Sequence, residues 1–391
     1  MSSQIVFGRA VQILVSDGSS GVSMRGEGWP LAGASSGEPR LVVSGRKDGT
    51  IVGIKELADY LNVSIGTVSR ALNNHPLVNA ETRRRVLEAA DELGYAPDQS
   101  GRSLRKGTVN SIALVLSTDR TSSQEAMIFM EISRSMQSVF RRFELDLMIH
   151  LNEPGQELND RVRRVVERRQ ADAIVLVETR ENDPRLDYLT KRKIPFATWG
   201  QSRSGGLHPW LDLDFEGAMT TVIDRLMDFG HRRIAMVSND PGLMFDRLLQ
   251  AAYQRELDTR GLPFRLVLET DPDEKGGYKV VERLLAAPER PTAVVFSDSR
   301  PAAGACLGFS EAGVFPGRDI AIASCSVDTP MAAYLSPGLT CFSVDLKRLG
   351  ERLAEAVLSG MPRFAQEFGG KPIQEIFPLH LIARDSDAFQ L

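Results

Sequence analysis

The stretch Ile65-Gly66-Thr67-Val68-Ser69-Arg70-Ala71-Leu72-Asn73 holds side chains whose types and spacing fit a definite chemistry, the reading of duplex DNA. A helix that turns Val68 and Leu72 into a core leaves Gly66, Thr67, Arg70 and Asn73 on its other faces. Such a helix fits the major groove. Arginine can grip guanine O6 and N7 with two hydrogen bonds, and Ser, Thr and Asn reach phosphates. The same spacing also fits a small helical subdomain with a solvated arginine, so the surrounding elements have to decide.

Those elements form a compact grammar. Apolar stripes at helical spacing run through Ile54, Leu57, Ala58 and Leu61, then Val68, Ala71 and Leu72, then Val86, Leu87, Ala90 and Leu93. Between the first two, Asn62 can take the left-handed conformation of a tight turn and Ser64 can cap the next helix. Asn79, with Glu81 behind it, caps a third helix that Gly94 ends. This is a helix-turn-helix pattern. Residues 15–50 are crowded with Gly and Ser and lack periodicity, which predicts disorder, or translated upstream sequence before a true start near Val42 or Val43. From Thr108 onward, apolar runs at 112–116, 145–151, 173–177, 234–237, 293–296 and 320–323 alternate with helical stretches at 125–143, 157–169, 217–229 and 246–260. That alternation predicts parallel sheets covered on both faces.

At 391 residues the chain has room for two or three domains, and 42% hydrophobic with 25% charged residues is ordinary globular composition. Nothing approaches the roughly 18 uninterrupted apolar residues of a membrane span. Cys306, Cys325 and Cys341 are far apart and read as buried, reduced thiols, and the first sixteen residues lack the apolar run of a secretory signal, so the expected compartment is cytoplasmic. The net charge of -4 hides a front segment, residues 1–107, with 13 basic and 11 acidic side chains. His-Glu-x-x-His, Gly-x-x-x-x-Gly-Lys-[Ser/Thr], Gly-x-Gly-x-x-Gly and Gly-x-Ser-x-Gly are all missing, so no enzyme, metal or cofactor is expected.

From Ile54 to Gly107 the chain closely resembles the DNA-binding head of the LacI/GalR transcriptional repressors. The carrying strings are Ile54-Lys55-Glu56-Leu57-Ala58, Thr67-Val68-Ser69-Arg70-Ala71-Leu72-Asn73, Val86-Leu87-Glu88-Ala89-Ala90, Glu92-Leu93-Gly94-Tyr95 and Arg102-Ser103-Leu104-Arg105. Further matches, Gly230-His231-Arg232-Arg233-Ile234-Ala235 and Tyr334-Leu335-Ser336-Pro337, extend the resemblance over everything after about residue 50. It implies an α/β fold: a three-helix helix-turn-helix head and a periplasmic-binding-protein-like body of two doubly wound subdomains with a ligand cleft. The domains expected are an extension at 1–49, a head at 50–97, a hinge helix at 98–107 and an effector-binding and dimerisation body at 108–391.

Residue by residue, the resemblance places Ile65, Gly66 and Arg70 at base-reading positions, with Thr67, Ser69 and Asn73 anchoring phosphates and Ser64 counted among the DNA-binding residues. Ile65 and Gly66 depart from polar readers, which shifts readout toward Arg70 and operator shape. Leu104 stands where the family's hinge inserts a leucine into the minor groove. In the body, Asp298 and Asp214 match cleft positions, and carboxylates suit sugar hydroxyls. Trp199 or Trp210 would stack on a sugar face. Asp298 is equally placed to cap the helix that follows it. Arg247 falls two residues before Leu249, which occupies the family's ligand-gripping arginine position, and Ser123 to Phe129 replaces a common Asn-Pro-Phe-Phe. Ile194-Pro195-Phe196-Ala197-Thr198-Trp199-Gly200 looks like a branch whose ligands include α-glucosides. The expected protein is a homodimeric, effector-responsive repressor with a double-stranded DNA operator and a carbohydrate effector as partners, and no membrane. The rivals are a solute receptor without a DNA-binding role and, more remotely, a carbohydrate-processing enzyme.

Overall fold

The structure, a computed structural model, describes residues 53–72, 74–95, 108–117, 123–152 and 158–388. Asn73, the expected hinge with Leu104, and the first 49 residues lie outside the described residues. The chain divides into two compact units between Ala96 and Pro97.

The first unit is three helices, α1 (Ile54–Leu61), α2 (Ile65–Leu72) and α3 (Ala80–Glu92). Their stripes close on Leu57, Ala58, Val68, Ala71, Val86, Ala89 and Ala90. The helix signals sit where the sequence places them. Asn62 adopts φ 53° between α1 and α2, and Ser64 Oγ accepts the Thr67 N–H at 3.1 Å. Asn79 Oδ1 accepts the Thr82 N–H at 2.7 Å. Gly94 ends α3 at φ 64°, letting Tyr95 N–H reach back to the Ala90 carbonyl at 2.8 Å. One expectation fails: Leu87 is 50% exposed, because the 3.6-residue period carries the core face of α3 from Val86 to Ala89 and Ala90.

The second unit contains two six-stranded sheets. The first takes β1 (Ser111–Ser117), β2 (Asp146–Asn152), β3 (Ala173–Leu176), β4 (Phe196–Trp199), β5 (Trp210–Leu213) and β11 (Gln374–Phe377) in the order β11-β5-β4-β3-β1-β2, all parallel. The other takes β6 (Ile234–Ser238), β7 (Val267–Glu269), β8 (Ala293–Phe296), β9 (Ala321–Val327), β10 (Thr340–Ser343) and β12 (His380–Ile382) in the order β12-β10-β9-β8-β6-β7, with only β12 antiparallel. All seven residues of β1 are buried, as expected of a central strand covered on both faces.

The covering helices are α4 (Ser123–Phe140), α5 (Leu158–Glu167) and α6 (Pro184–Arg192) on the first sheet, and α7 (Phe215–Asp228), α8 (Met244–Thr259), α9 (Glu274–Leu285), α10 (Ser299–Glu311) and the short α11 (Pro330–Tyr334) on the second. A last helix, α12 (Leu346–Ser359), returns to the first subdomain and buries Leu349, Leu353 and Val357 against α4. The chain thus passes between sheets three times, from β5 into α7, from β10 into α12 and from β11 to β12. Phe215 and Leu379, at two of these crossings, pack against the cores of both subdomains. The three cysteines are free and buried, and no helix among the described residues is long and apolar enough to cross a membrane.

Candidate functional site

In parallel sheets with helices on both faces, loops at the carboxyl ends of the strands are the parts left free to build a site. Here those ends face each other across the two subdomains and line a cleft of about 760 Å³, the open solvent at its mouth included. A neighbouring space of about 720 Å³ shares Phe129, Trp199, Phe215, Phe245, Asp298 and Arg300 with it and extends toward Ser326 and Thr329. Two aromatic pairs form the walls. Phe129 from α4 meets Trp199 at the end of β4 edge to face, centroids 5.7 Å apart, and Phe215 meets Phe245 at 5.5 Å. Such walls fit the apolar face of a ring.

Polar groups line the remainder. Asp212, on β5, is 2% exposed; its Oδ2 accepts the Gln201 backbone N–H and Nε2–H, each at 3.1 Å, and its Oδ1 accepts Leu213 N–H at 2.9 Å. Burial outweighs these donors and pushes its carboxyl up to about 6. Across the cleft, Asn239 follows β6; its Oδ1 is buried with no protein partner, while its N–H is tied to the buried Asp246 at 2.9 Å. Asp298 follows β8 and does two things at once. Oδ1 caps α10 by accepting Arg300 N–H at 2.8 Å, and Oδ2 takes the Arg300 guanidinium at 2.8 Å, both side chains lying in the cavity wall.

Asp212 invites a stability test. The unfolded chain releases this proton near the ordinary 3.8 and the folded chain near 6, so the folded state holds the extra proton in between. Stability therefore falls as pH rises through that window and stays lower above it. Asp212→Asn cannot titrate. Between pH 4 and pH 7.5 the stability difference, variant minus parent, should move in the variant's favour by about 2 to 3 kcal/mol, read from urea unfolding without ligand. A difference that is constant with pH would contradict a buried, cation-free carboxylate.

One loop on the rim ties the subdomains together. Arg185, buried beside Asp183, donates to the Val177 and Glu178 carbonyls at 3.1 and 2.9 Å and so fixes the loop after β3. That loop then reaches across: Thr179 O accepts Met244 N–H at 2.8 Å, and Arg180 bridges Leu243. Ion pairs join Arg180 to Asp240 and Glu181 to Arg247, each at 3.2 Å. Both arginines are about half exposed, and each pair contributes at most ~1 kcal/mol, so the clasp is weak enough to open. Glu178 and Thr179 line the cavity beside the clasp residues, and Gly200 sits at φ 116° where any Cβ would strike the Thr179 hydroxyl.

Of the body residues singled out from sequence, Trp199 and Asp298 lie together in the cavity wall. Asp214 and Arg247 are not among its lining residues. Asp214 caps α7 through the Gly217 N–H at 2.9 Å, and Arg247 points along the rim to Glu181. Trp210 starts β5, at the strand end away from the cavity. Asp212, Asn239, Phe129, Phe215 and Phe245 also line the cavity, and the sequence pattern assigns none of them a ligand role. A usable signal existed for Asp212, since an acid between two leucines in a buried strand breaks the expected pattern.

In the three-helix unit, Ser64, just before α2, and Ile65, Gly66 and Arg70 on it are exposed, with Ile65 47% accessible, while Thr67 and Ser69 are half-buried. Arg70 Nε–H lies along the helix onto the Gly66 carbonyl at 3.0 Å. The Ser64 hydroxyl is occupied with its cap and with Thr67 Oγ1 at 2.9 Å.

Residues 53–98 match the profile described as bacterial regulatory proteins, lacI family, and residues 223–386 match that of the periplasmic binding protein-like domain. The chain is 32% identical over 340 residues to the HTH-type transcriptional regulator AglR of Rhizobium meliloti (strain 1021), covering 86% of this chain and 94% of that regulator. It is 27% identical over 266 residues to RafR of Escherichia coli, covering 68% and 79% respectively. Among solved structures, the lac repressor dimer bound to operator and the anti-inducer ONPF has a TM-score of 0.74 at 20% identity, with 86% of this chain and 99% of that one covered. A complex of the transcriptional regulator CelR with cellobiose has a TM-score of 0.63 at 22% identity, with 86% and 99% covered.

Proposed function

The chain belongs to the lacI family of bacterial regulatory proteins, and on that premise we propose that it is a homodimeric, cytoplasmic, sequence-specific repressor whose hold on its operator is set by a carbohydrate in the cleft. That it is a DNA-binding transcriptional regulator follows from the family. The observation that carries the effector reading is the cavity itself: two aromatic walls and hydroxyl-accepting side chains, contributed by both subdomains. A ligand that touches both halves binds the closed arrangement better than the open one, and that difference in affinity is what can move the equilibrium. The clasp loop, which carries Glu178 and Thr179 into the cavity and Arg180 and Glu181 across the rim, would feel the ligand first.

Pairing of two copies is supported by an exposed apolar face on the first subdomain. On the side of the sheet that α4 covers, the edge strand β2 leaves Ile149 and Leu151 accessible, and α4 adds Met127 and Met130. Two copies present two α2 helices, which suits a near-palindromic operator. Asn73 and Leu104, outside the described residues, keep the phosphate and minor-groove roles that the family resemblance implies.

Genome-wide recovery of bound DNA, followed by anisotropy titration of the recovered site with and without sugars, tests the whole reading. Arg70→Ala should weaken operator binding by about 1 to 3 kcal/mol and relax preference at one base position. Equal weakening on random DNA would show that Arg70 holds phosphate and reads no base.

A further inference from the structure

Resting on the cleft as the effector site, we propose that it selects an uncharged polyhydroxylated ligand over a phosphorylated or carboxylated counterpart, and that Asp212 is the residue making the selection. The argument starts from the charges in the wall. Three carboxylates line the cavity, Glu178, Asp212 and Asp298, against one guanidinium, Arg300. That guanidinium is already held by Asp298 at 2.8 Å, in a pair whose side chains are 9% and 14% exposed. The rim arginines Arg180 and Arg247 are engaged with Asp240 and Glu181 and are not lining residues. Asp212 has no cation partner among the described residues. An anionic ligand would therefore meet the Asp212 carboxylate with no cation beside it, while the single guanidinium in the wall is already paired.

The same groups suit hydroxyls. An ionised carboxylate offers about four lone-pair sites, and Asp212 uses three on Gln201 and Leu213, which leaves one acceptor direction for a ligand O–H. Asn239 Oδ1, buried without a partner on the opposite subdomain, is a second acceptor that only a donor can satisfy. A phosphate at neutral pH brings nearly two negative charges and almost no donors. A polyol brings several donors and no charge, and its ring face fits between the aromatic pairs.

The test is calorimetric titration of the full chain with matched pairs: sucrose and sucrose 6-phosphate, trehalose and trehalose 6-phosphate, glucose and glucose 6-phosphate. At least one neutral member should bind, with its phosphate at least about 100-fold weaker. Asp212→Asn should weaken the neutral ligand about tenfold and narrow its advantage over the phosphate, a change in ratio that loss of packing alone would not produce. Glu178→Gln, read the same way, should also narrow the advantage and decides the matter if Asp212→Asn does not fold. A phosphate that binds as well as its neutral partner, or a ratio unchanged in folded variants, overturns the selection and leaves the effector reading standing. Failure of every pair to bind overturns the effector reading and this inference with it.

Discussion

Gly304→Ala is expected to destabilise the second α/β subdomain by about 3 kcal/mol or more and to lower the Tm of the body by roughly 6 to 12 °C. The cause is a reciprocal close approach of α9 and α10. A Cβ at Gly304 would sit inside van der Waals contact of the Glu274 carbonyl oxygen, and one at Gly277 would strike the Pro301 carbonyl. In both cases the obstacle is backbone, which cannot rotate aside as a side chain would, so the helices must part. The consequence reaches the cleft, because α10 begins with the Asp298 cap and the Arg300 pair that form its wall. Scanning calorimetry of the purified variant gives the result directly. A Tm within a degree of the parent would mean that the helices can separate at little cost and that the two glycines do not set their spacing.

Val68→Asp is expected to abolish operator binding, by at least 100-fold, while leaving the body folded and its ligand affinity unchanged. Val68 is fully buried in a core of seven residues, and a carboxylate there has no partner to offset its desolvation. So small a unit has little stability to lose. The body has its own cores and forms a separate compact unit, which is why its ligand affinity and thermal transition serve as the control. Retained operator affinity would disprove the assignment of DNA binding to the three-helix unit. Loss of the body transition as well would disprove the independence of the two units.

The two substitutions differ in how plainly the sequence marks their sites. Val68 stands out from its spacing to Ala71 and Leu72, because the helical period alone turns it inward. Asn62, Ser64, Asn79 and Gly94 were readable for a related reason, since a cap or a tight turn satisfies backbone groups only two to five residues away. Gly304 carries no such mark. What makes it necessary is the carbonyl of Glu274, on another helix. Leu87 shows the limit from the other side: two adjacent apolar residues, Val86 and Leu87, both fit a stripe, and only the positions of α1 and α2 select Val86.

The cleft divides in the same way. Asp298 is placed in the cleft by the family resemblance and Trp199 by its aromatic ring, and both stand at a strand's carboxyl end, Trp199 closing β4 and Asp298 following β8. Asp212 and Asp214 share a period of two and cannot be separated by it; one stays in β5 and faces the cavity, while the other leaves the strand and caps α7. Arg247 is placed by the rotation of α8 about its axis, which brings it to Glu181 on the rim.

By itself, the amino-acid sequence determined the helix-turn-helix unit, the alternation that builds two mainly parallel sheets, and the turns and caps that punctuate them, because each is set by interactions within a few residues of chain. Only the tertiary structure decided which side chains share the cleft. Its walls are drawn from α4, β4, β5, α7, α8, α10 and the loops after β3, β4, β6 and β8, and they converge because parallel strands deliver their carboxyl ends to one edge and the crossing connections turn two such edges toward each other.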